Sequence, residues 1–505
     1  MSYGFSFHSA TCKIKSRNNS STYTINMSKA RLPASVHISL EDEELRELVS
    51  KTKDWAVMNG IGIRSKVNFS EDSLTFAPFV LLPTAFPRKI FHKAVEIQTT
   101  LNELMHKVAH DEVFLRDALK VTIQVDEFTA NLYKIWEEVL KEGINQPISL
   151  GLVRNDLMLD SLDTWKQVEF NTIAAGFGWL GPASLAINKF VLEELGHYDK
   201  LRNLPENNAL AGIVTGLLEA WTIYSDPKAA ILMIIEDVTY NICDQRFHEF
   251  ELKKMNPEVK MIRRTLTEVH DRGRLSEDKQ LVIDNFVVSV VYYRSGYSPV
   301  QYPTQNEWQA RLLIEKSRAI KCPSIQYHLA GTKKVQQVLA MPGVLKRFVS
   351  DTKDLEHVRD IFAEMHALEF DELGEKAVQM AIDNPERFVL KPQREGGGNN
   401  IYSSEVREAI LKMRDSKERT AWILMEKINS PISVGYMVRP GGPNPPPLVE
   451  MISELGIFGM IIGDYHKIMV NRQVGHMFRT KVSTANEGGV AAGSGALDSP
   501  YLIDL

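Results

Sequence analysis

Apolar residues recur at helical spacing between residues 86 and 143, with Phe91, Ala94, Val95, Ile97 and Leu101 as the clearest stretch, which predicts two long helices. Before them, Ser39-Leu-Glu-Asp-Glu-Glu sets a hydroxyl ahead of a run of acids, the pattern of a helix start capped at Ser39. Between Ile148 and Ile173 the period changes from helical to two, which predicts a hairpin. Its second strand, Trp165 to Ile173, alternates strictly. Val168 and Phe170 point one way, and Gln167, Glu169 and Asn171 point the other.

Beyond the hairpin, Ala230-Ile-Leu-Met-Ile-Ile reads as a buried strand followed by helix-prone sequence, and a βα rhythm continues to about residue 300, with a strand over 287–293 near its end. Residues 306–380 are helix-rich, and strands dominate from Arg387 onward, over 387–391, 421–426 and 448–455. Pro440-Gly-Gly-Pro-Asn-Pro-Pro-Pro breaks that series with a loop. The fold class is α/β in the mixed α+β sense. Four segments are expected: a basic tail (1–38), a helical region plus hairpin (39–228), an inserted α/β substrate-binding domain (229–330) and a Gly-rich region (331–505).

Composition changes little in this picture. The chain has 505 residues, 44% hydrophobic and 24% charged, and a net charge of -5. It lacks the basic balance that a nucleic-acid partner would call for. Residues 1–40 carry Lys13, Lys15, Arg17, Lys29 and Arg31 and no acid. This stretch reads as a disordered tail, with an organelle transit peptide as the alternative. Cys12, Cys243 and Cys322 show no CxxC spacing, which argues against a disulfide framework or a zinc site and for a reducing compartment. The cytoplasm is therefore the expected location, with an organelle, or secretion of a processed precursor, as the alternatives. No run of about 18 apolar residues occurs, so no membrane span is expected.

The chemistry concentrates in a few places. GxxxxGK[ST], a strand–turn–helix GxGxxG, HExxH and GxSxG are all read as absent. The outstanding segment is Phe388-Val-Leu-Lys-Pro-Gln-Arg-Glu-Gly-Gly-Gly-Asn-Asn-Ile-Tyr. A strand delivers Lys391, and Gly396, Gly397 and Gly398 can bring backbone N–H groups close to phosphates. Glu395 beside them is an oxygen ligand for a hard cation. Glu169 and Asn171, at i and i+2 on one strand face, offer a carboxylate and an amide oxygen that suit Mg²⁺. Taken alone, that pair reads equally as the polar face of a half-buried sheet. Arg479 and Lys481 precede a glycine-rich stretch, Glu487 to Gly495, of the kind that closes over a substrate or forms a flexible end.

These strings resemble eukaryotic glutathione synthetase, an ATP-grasp ligase family. The resemblance is carried by Lys391 to Tyr402, Ile452-Ser-Glu-Leu-Gly-Ile-Phe-Gly459, Gly488-Gly-Val-Ala-Ala-Gly493, Leu329-Ala-Gly-Thr-Lys-Lys-Val-Gln-Gln337 and Leu424-Met-Glu-Lys-Ile428, and it runs from about residue 40 to the end. It implies an ATP-grasp fold, a homodimer, and ligation of γ-glutamylcysteine to glycine with ATP and two magnesium ions. It assigns ATP to Lys333, Lys391, Gly396, Gly397, Gly398, Tyr402, Met425, Glu426, Lys427, Ile428, Glu454, Lys481 and Glu487. Magnesium goes to Glu169, Asn171 and Glu395. Arg154, Asn241, Gln245, Arg294 and Tyr297 are assigned to the dipeptide, and Arg479, Val490 and Ala491 to glycine. Arg154, Arg479 and Lys481 are the catalytic cations.

The sequence departs from the family in one region. Ala174 and Gly176 stand where the family has serines, Thr239 where it has a glutamate facing the substrate's amino group, and Glu487 where it has an aspartate. A diverged ligase with another carboxylate or amine, or a weakly catalytic ligand-binding relative, is the alternative that these departures raise.

Overall fold

The described residues are 30–36, 40–395, 398–490 and 494–505 of a computed structural model. Most of the predicted tail lies outside them, as does Ser39. Residues 30–36 run along the body, where Leu32 N donates to Ile432 O (2.9 Å) and Arg31 pairs with Glu450. The first helix, α1, spans Asp42–Met58. Its cap is Glu41, two residues later than expected, in a reciprocal box with Glu44.

The two helices expected over 86–143 are three: α2 (Arg88–His110), α3 (Glu112–Leu119) and α4 (Glu127–Glu142). Capping explains the breaks. Asp111 accepts from Phe114 N at 2.9 Å and Asp126 from Thr129 N at 2.8 Å, so each aspartate starts a new helix inside a continuous apolar pattern.

The predicted hairpin is present as β1 (Ser149–Leu159) and β2 (Trp165–Asn171), paired antiparallel. Strict alternation fails at one point. Asp156 lies opposite Glu169 but Leu157 lies opposite Gln167, so Val168 is an extra residue, a β-bulge. Gln167 is thereby turned to the face of Asn155, to which it donates at 2.5 Å, while Glu169 and Asn171 share a face with Arg154 and Asp156.

Downstream strands β3 (Ala230–Ile234), β4 (Met261–Arg264), β5 (Phe286–Tyr293) and β6 (Ile320–Cys322) pair in parallel, as the βα rhythm predicts. Their sheet is continuous with the hairpin, because β6 pairs parallel with β1 at Lys321 and Ser149. A second, four-stranded antiparallel sheet holds β7 (Met365–Ala367), β8 (Phe388–Pro392), β9 (Ile401–Tyr402) and β10 (Trp422–Glu426) in the order β7–β10–β8–β9. The chain then returns to the large sheet through β11 (Leu448–Gly463) and β12 (Ile468–Val482). Strand β11 pairs antiparallel with both β12 and β1 and so forms the centre of the large sheet.

Helices cover both faces of that centre. Ile97, Leu101 and Leu104 of α2 pack with Val153 and Ile461 in one apolar cluster. A helix over Ala209–Tyr224 places Ile213, Val214 and Leu217 against Leu152, Met460 and Ile462 in another. The alternation of Met460, Ile461 and Ile462 between the two clusters is the period-two pattern of a strand buried on both sides.

Gly459 marks the closest approach of helix to sheet. A Cβ there would lie 1.9 Å from Asn102 Oδ1, and Asn102 is fixed by bonds to Gln98, Asn471 and the Arg472 carbonyl. Gly459→Ala should therefore lower stability by about 2–3 kcal/mol in urea unfolding, as overpacking in a rigid core does. An unchanged midpoint would show that α2 shifts freely.

Candidate active site

Residues from both sheets converge on one polar cluster. From the large sheet come Arg154 and Asp156 on β1, Glu169 and Asn171 on β2, Glu454 on β11 and Arg479 on β12. From the smaller sheet and its loop come Lys391 and Glu395. Lys333 starts a short helix between them. Its ammonium contacts Glu169 Oε2 at 2.8 Å and Glu395 Oε1 at 2.9 Å. Lys391 donates at 2.9 Å to Val168 O, the carbonyl of the bulge residue. A bulge leaves a residue out of the regular ladder, and here that residue becomes an anchor for the second sheet.

The electrostatics follow from burial and charge. Burial opposes ionisation of Glu169, but Lys333, Lys391 and Arg479 outweigh it and hold the carboxyl below its usual range. For Glu395 burial dominates and raises the carboxyl despite the same Lys333. Burial also lowers Lys391 and Lys481 from the usual lysine value, partly offset by Glu169 and Glu454 respectively.

Strand register accounts for the other side. Glu454 lies opposite Arg479 across β11 and β12, and the side chains meet at 2.5 Å. Arg479 also lies 3.9 Å from Asp156 Oδ2. Asp156 is fully buried, accepts two bonds from Arg154 (2.5 and 2.7 Å) and one from Asn171 Nδ2 (2.9 Å). It ties the cluster together and the sequence reading missed it. Its place two residues after Arg154 on an alternating strand was the available signal.

Near the second glycine-rich stretch, Lys481 donates to Asn486 O at 2.6 Å. Glu487 accepts from the backbone N–H groups of Gly398 and, at 3.3 Å, of Asn400, and from Tyr402 OH at 3.5 Å. The two glycine-rich segments therefore meet. Gly396, Gly397 and Ala491 lie outside the described residues. Val490 is buried in the apolar cluster that contains Leu81, Leu180 and Leu497.

A cavity of about 550 Å³ opens beside the smaller sheet, lined by Glu426, Lys427, Ile428, Met341, Lys346 and Phe362. Met425 is buried in β10 next to it. Met341, Lys346 and Phe362 were not among the expected nucleotide residues. They come from helical and loop segments whose sequence carries no phosphate or base signal.

The expected dipeptide residues form a second cluster. Arg294 is fully buried, paired with Asp244 at 2.9 Å and donating to Ala175 O at 2.8 Å. Tyr297 OH donates to Glu236 Oε1 at 3.2 Å. Gln245 donates to Asn241 at 2.8 Å and accepts from Arg263 at 2.9 Å. Arg154 links this cluster to the first through Gly176 O at 3.0 Å. A small cavity is lined by Tyr297 of this cluster together with Asn171, Lys333 and Glu395 of the first.

Sequence reading also passed over Gly176-Phe-Gly-Trp-Leu-Gly181, which has GxGxxG spacing, follows β2 and opens a helix at Leu180. The structure gives it no dinucleotide geometry. The preceding strand is in an antiparallel hairpin, and three of the loop's N–H groups are already taken. Asp244 accepts from Phe177 N, Trp179 N and Leu180 N at 3.0, 3.0 and 3.2 Å. Asp244, also missed, thus neutralises Arg294 and caps a helix start at once.

Two sheets that close over shared lysines and carboxylates define an ATP-grasp type of carboxylate-activating enzyme. Residues 42–502 match the family model described as eukaryotic glutathione synthase, ATP binding domain. The chain is 41% identical to the glutathione synthetase of Xenopus laevis over 91% of its length and 97% of that protein, and 41% identical to that of Homo sapiens over 92% and 98%. A solved glutathione synthetase-like effector from Globodera pallida in its apo form superposes with a TM-score of 0.73 at 25% identity, covering 92% of this chain and 98% of that one. The chain belongs to the eukaryotic glutathione synthetase family and is an ATP-dependent ligase that forms a peptide bond.

The Arg294–Asp244 pair gives a direct test of the second cluster. Asp244→Asn leaves a buried guanidinium without its counter-charge, and should cost about 3–5 kcal/mol in urea unfolding. An unchanged unfolding midpoint would show that the loop holds Arg294 without it.

Proposed function

We propose that this chain joins γ-glutamylcysteine to glycine with ATP through an acyl phosphate. The observation that carries the reading is the convergence of Lys333, Lys391, Glu169, Glu395, Glu454 and Arg479 from two sheets on one buried cluster. A carboxylate oxygen of the dipeptide attacks the γ-phosphorus, and ADP leaves. The glycine amine then attacks the acyl carbon, loses a proton, and phosphate departs. The protein's task is positioning and charge neutralisation. Lys333 and Lys391 meet the phosphates, Arg154 and Lys481 meet negative charge as it moves, and Arg479 takes glycine's carboxylate. Among the described residues Arg479 Nε is buried with no acceptor, so it has a donor to spare for that group. The cavity beside Glu426 to Ile428 suits the base of the nucleotide. The 229–330 segment, with Arg294 and Tyr297, serves as the substrate-binding domain.

Magnesium fits the donor set. Glu169 and Glu395 share a single ammonium, and Asn171 uses its Nδ2 on Asp156, which leaves its oxygen for a cation. No three His, Cys, Asp or Glu side chains form a ready-made cage among the described residues. A site of one or two carboxylates completed by phosphate oxygens is what Mg²⁺ favours. When bound, the ion would screen the phosphate charge. The family resemblance further carries a homodimer, and the sparse cysteines suit a reducing compartment such as the cytoplasm. A relative from Arabidopsis thaliana is chloroplastic, and no described helix is long and apolar enough to cross a membrane.

Ala174, Gly176 and Thr239 favour a second reading, a ligase whose carboxylate donor differs from γ-glutamylcysteine. Room exists for the family's hydroxyl at one of these positions. A Cβ at Gly176 would lie 3.4 Å from Arg294 Nη2 and 3.7 Å from Asp244 Oδ2.

Purified protein with ATP, Mg²⁺, γ-glutamylcysteine and glycine should release one phosphate per tripeptide. Absence of tripeptide at millimolar substrate, with ADP release on another dipeptide in a panel, would transfer the assignment to the second reading. Lys391→Met should lower kcat/KM for ATP by about a hundredfold, the scale of losing one charge-stabilising donor. A loss below tenfold would remove Lys391 from the phosphate site. In the same assay, Glu395→Gln should raise the Mg²⁺ concentration needed for half-maximal rate about tenfold.

A further inference from the structure

The arm formed by residues 30–36 is fastened to a link between the two sheets. Residues 427–432 lead from β10 of the smaller sheet to the strand Ser433–Val438, which pairs antiparallel with β11 in the large one. The first half of this link is a wall of the large cavity, because Lys427, Ile428 and Asn429 line it together with Asp160. Three fastenings hold the link. Lys427 N donates at 2.8 Å to Arg387 O, one residue ahead of β8. Asn429 N donates to Asp160 Oδ1 at 3.0 Å, and Ser430 Oγ to Leu159 O at 2.6 Å, both at the end of β1. The third fastening is the arm. Ile432 N donates to Ala30 O, and Ile432 O accepts from Leu32 N, both at 2.9 Å. Both main-chain groups of this buried residue are thus satisfied by the arm.

The arm is anchored well enough to hold that point. Leu32 packs against the apolar cluster of Phe86, Leu159, Leu455 and Phe478, and Val36 is buried with Leu185, Leu192 and Tyr501. Ser35 Oγ donates to Pro83 O, and Arg31 pairs with Glu450 on β11. That pair is partly exposed, so it contributes more to the register of the arm than to stability. Only Ser430 and Pro431 stand between Ile432 and Asn429, and the fixed φ of Pro431 leaves this stretch little freedom to absorb a shift. A link released at Ile432 would therefore loosen the cavity wall at Asn429.

We propose that residues 30–36 are a positioning element of the nucleotide site: by holding Ile432 they fix the cavity wall from Lys427 to Asn429 and raise the affinity for ATP without taking part in the chemistry. The inference rests on the reading of that cavity as the nucleotide's and extends it to a segment ahead of residue 42, where the family match begins.

The test applies equilibrium binding of ATP with Mg²⁺, steady-state kinetics and amide hydrogen exchange to the full chain. Leu32→Pro removes the N–H that reaches Ile432 O, and Arg31→Glu sets a like charge against Glu450. Each should raise the Kd and the KM for ATP about fivefold, the scale of one main-chain hydrogen bond, with kcat within about twofold and KM for glycine unchanged. Hydrogen exchange over 427–432 should quicken in both variants while that of β11 stays as it was. The charge-reversed pair R31E/E450R should return the Kd for ATP to within about twofold of wild type. An unchanged Kd for ATP in both variants, equal losses on every substrate, or no recovery in the charge-reversed pair would overturn the proposal. Wild-type protein that binds ATP but turns over no donor counts against the ligase reading, and the binding and hydrogen-exchange comparisons then judge the arm alone. Wild-type protein that binds no ATP overturns both.

Discussion

The ammonium of Lys333 sits between Glu169 on the large sheet and Glu395 on the loop of the smaller one, and the arrangement of the polar cluster depends on it. Two buried carboxylates that face each other would repel and tend to stay protonated. One lysine relieves both, and does so asymmetrically: Glu169, which also feels Lys391 and Arg479, stays charged, while burial prevails at Glu395. At Lys333 two carboxylates share one ammonium, while Lys391 and Arg479 bring further positive charge from the two sheets. That balance is visible in neither sheet alone.

The large sheet supplies a frame stiff enough to keep that balance. Strand β11 is paired on both sides, so Glu454 is set opposite Arg479 by register, and Arg154 and Asp156 are set beside it on β1. Buried ion pairs of this kind add little net stability, because desolvation cancels much of the attraction. Their value here is orientation. Asp244 shows the same economy in the second cluster, where one carboxylate fixes a guanidinium and three backbone N–H groups together.

Much of this was legible in the sequence, for reasons that can be given residue by residue. The hairpin declared itself through alternation, the parallel strands through apolar runs, and the Lys391 segment through glycines between charged residues. Helix ends were less legible. Asp111 and Asp126 interrupt no apolar stripe, so the caps that divide α2, α3 and α4 leave no trace in periodicity. The bulge at Val168 was invisible for a related reason: an extra residue is defined by what lies opposite, and a single strand does not name its partner. Asp156, Asp244 and the residues Met341, Lys346 and Phe362 were missed because their roles come from contacts between distant segments. The GxGxxG at Gly176 illustrates the converse, a motif whose spacing is present and whose N–H groups are already occupied.

The bulge has a further consequence for how the two sheets are joined. Strand β2 is laddered to β1 alone, so its other edge has main-chain groups to offer. At Val168 it offers a main-chain oxygen, and Lys391 takes it. A main-chain acceptor has no rotamer and cannot swing aside. The smaller sheet is thus tied to a main-chain oxygen, while the contacts around it run between side chains. The mooring point coincides with the single inserted residue of the hairpin.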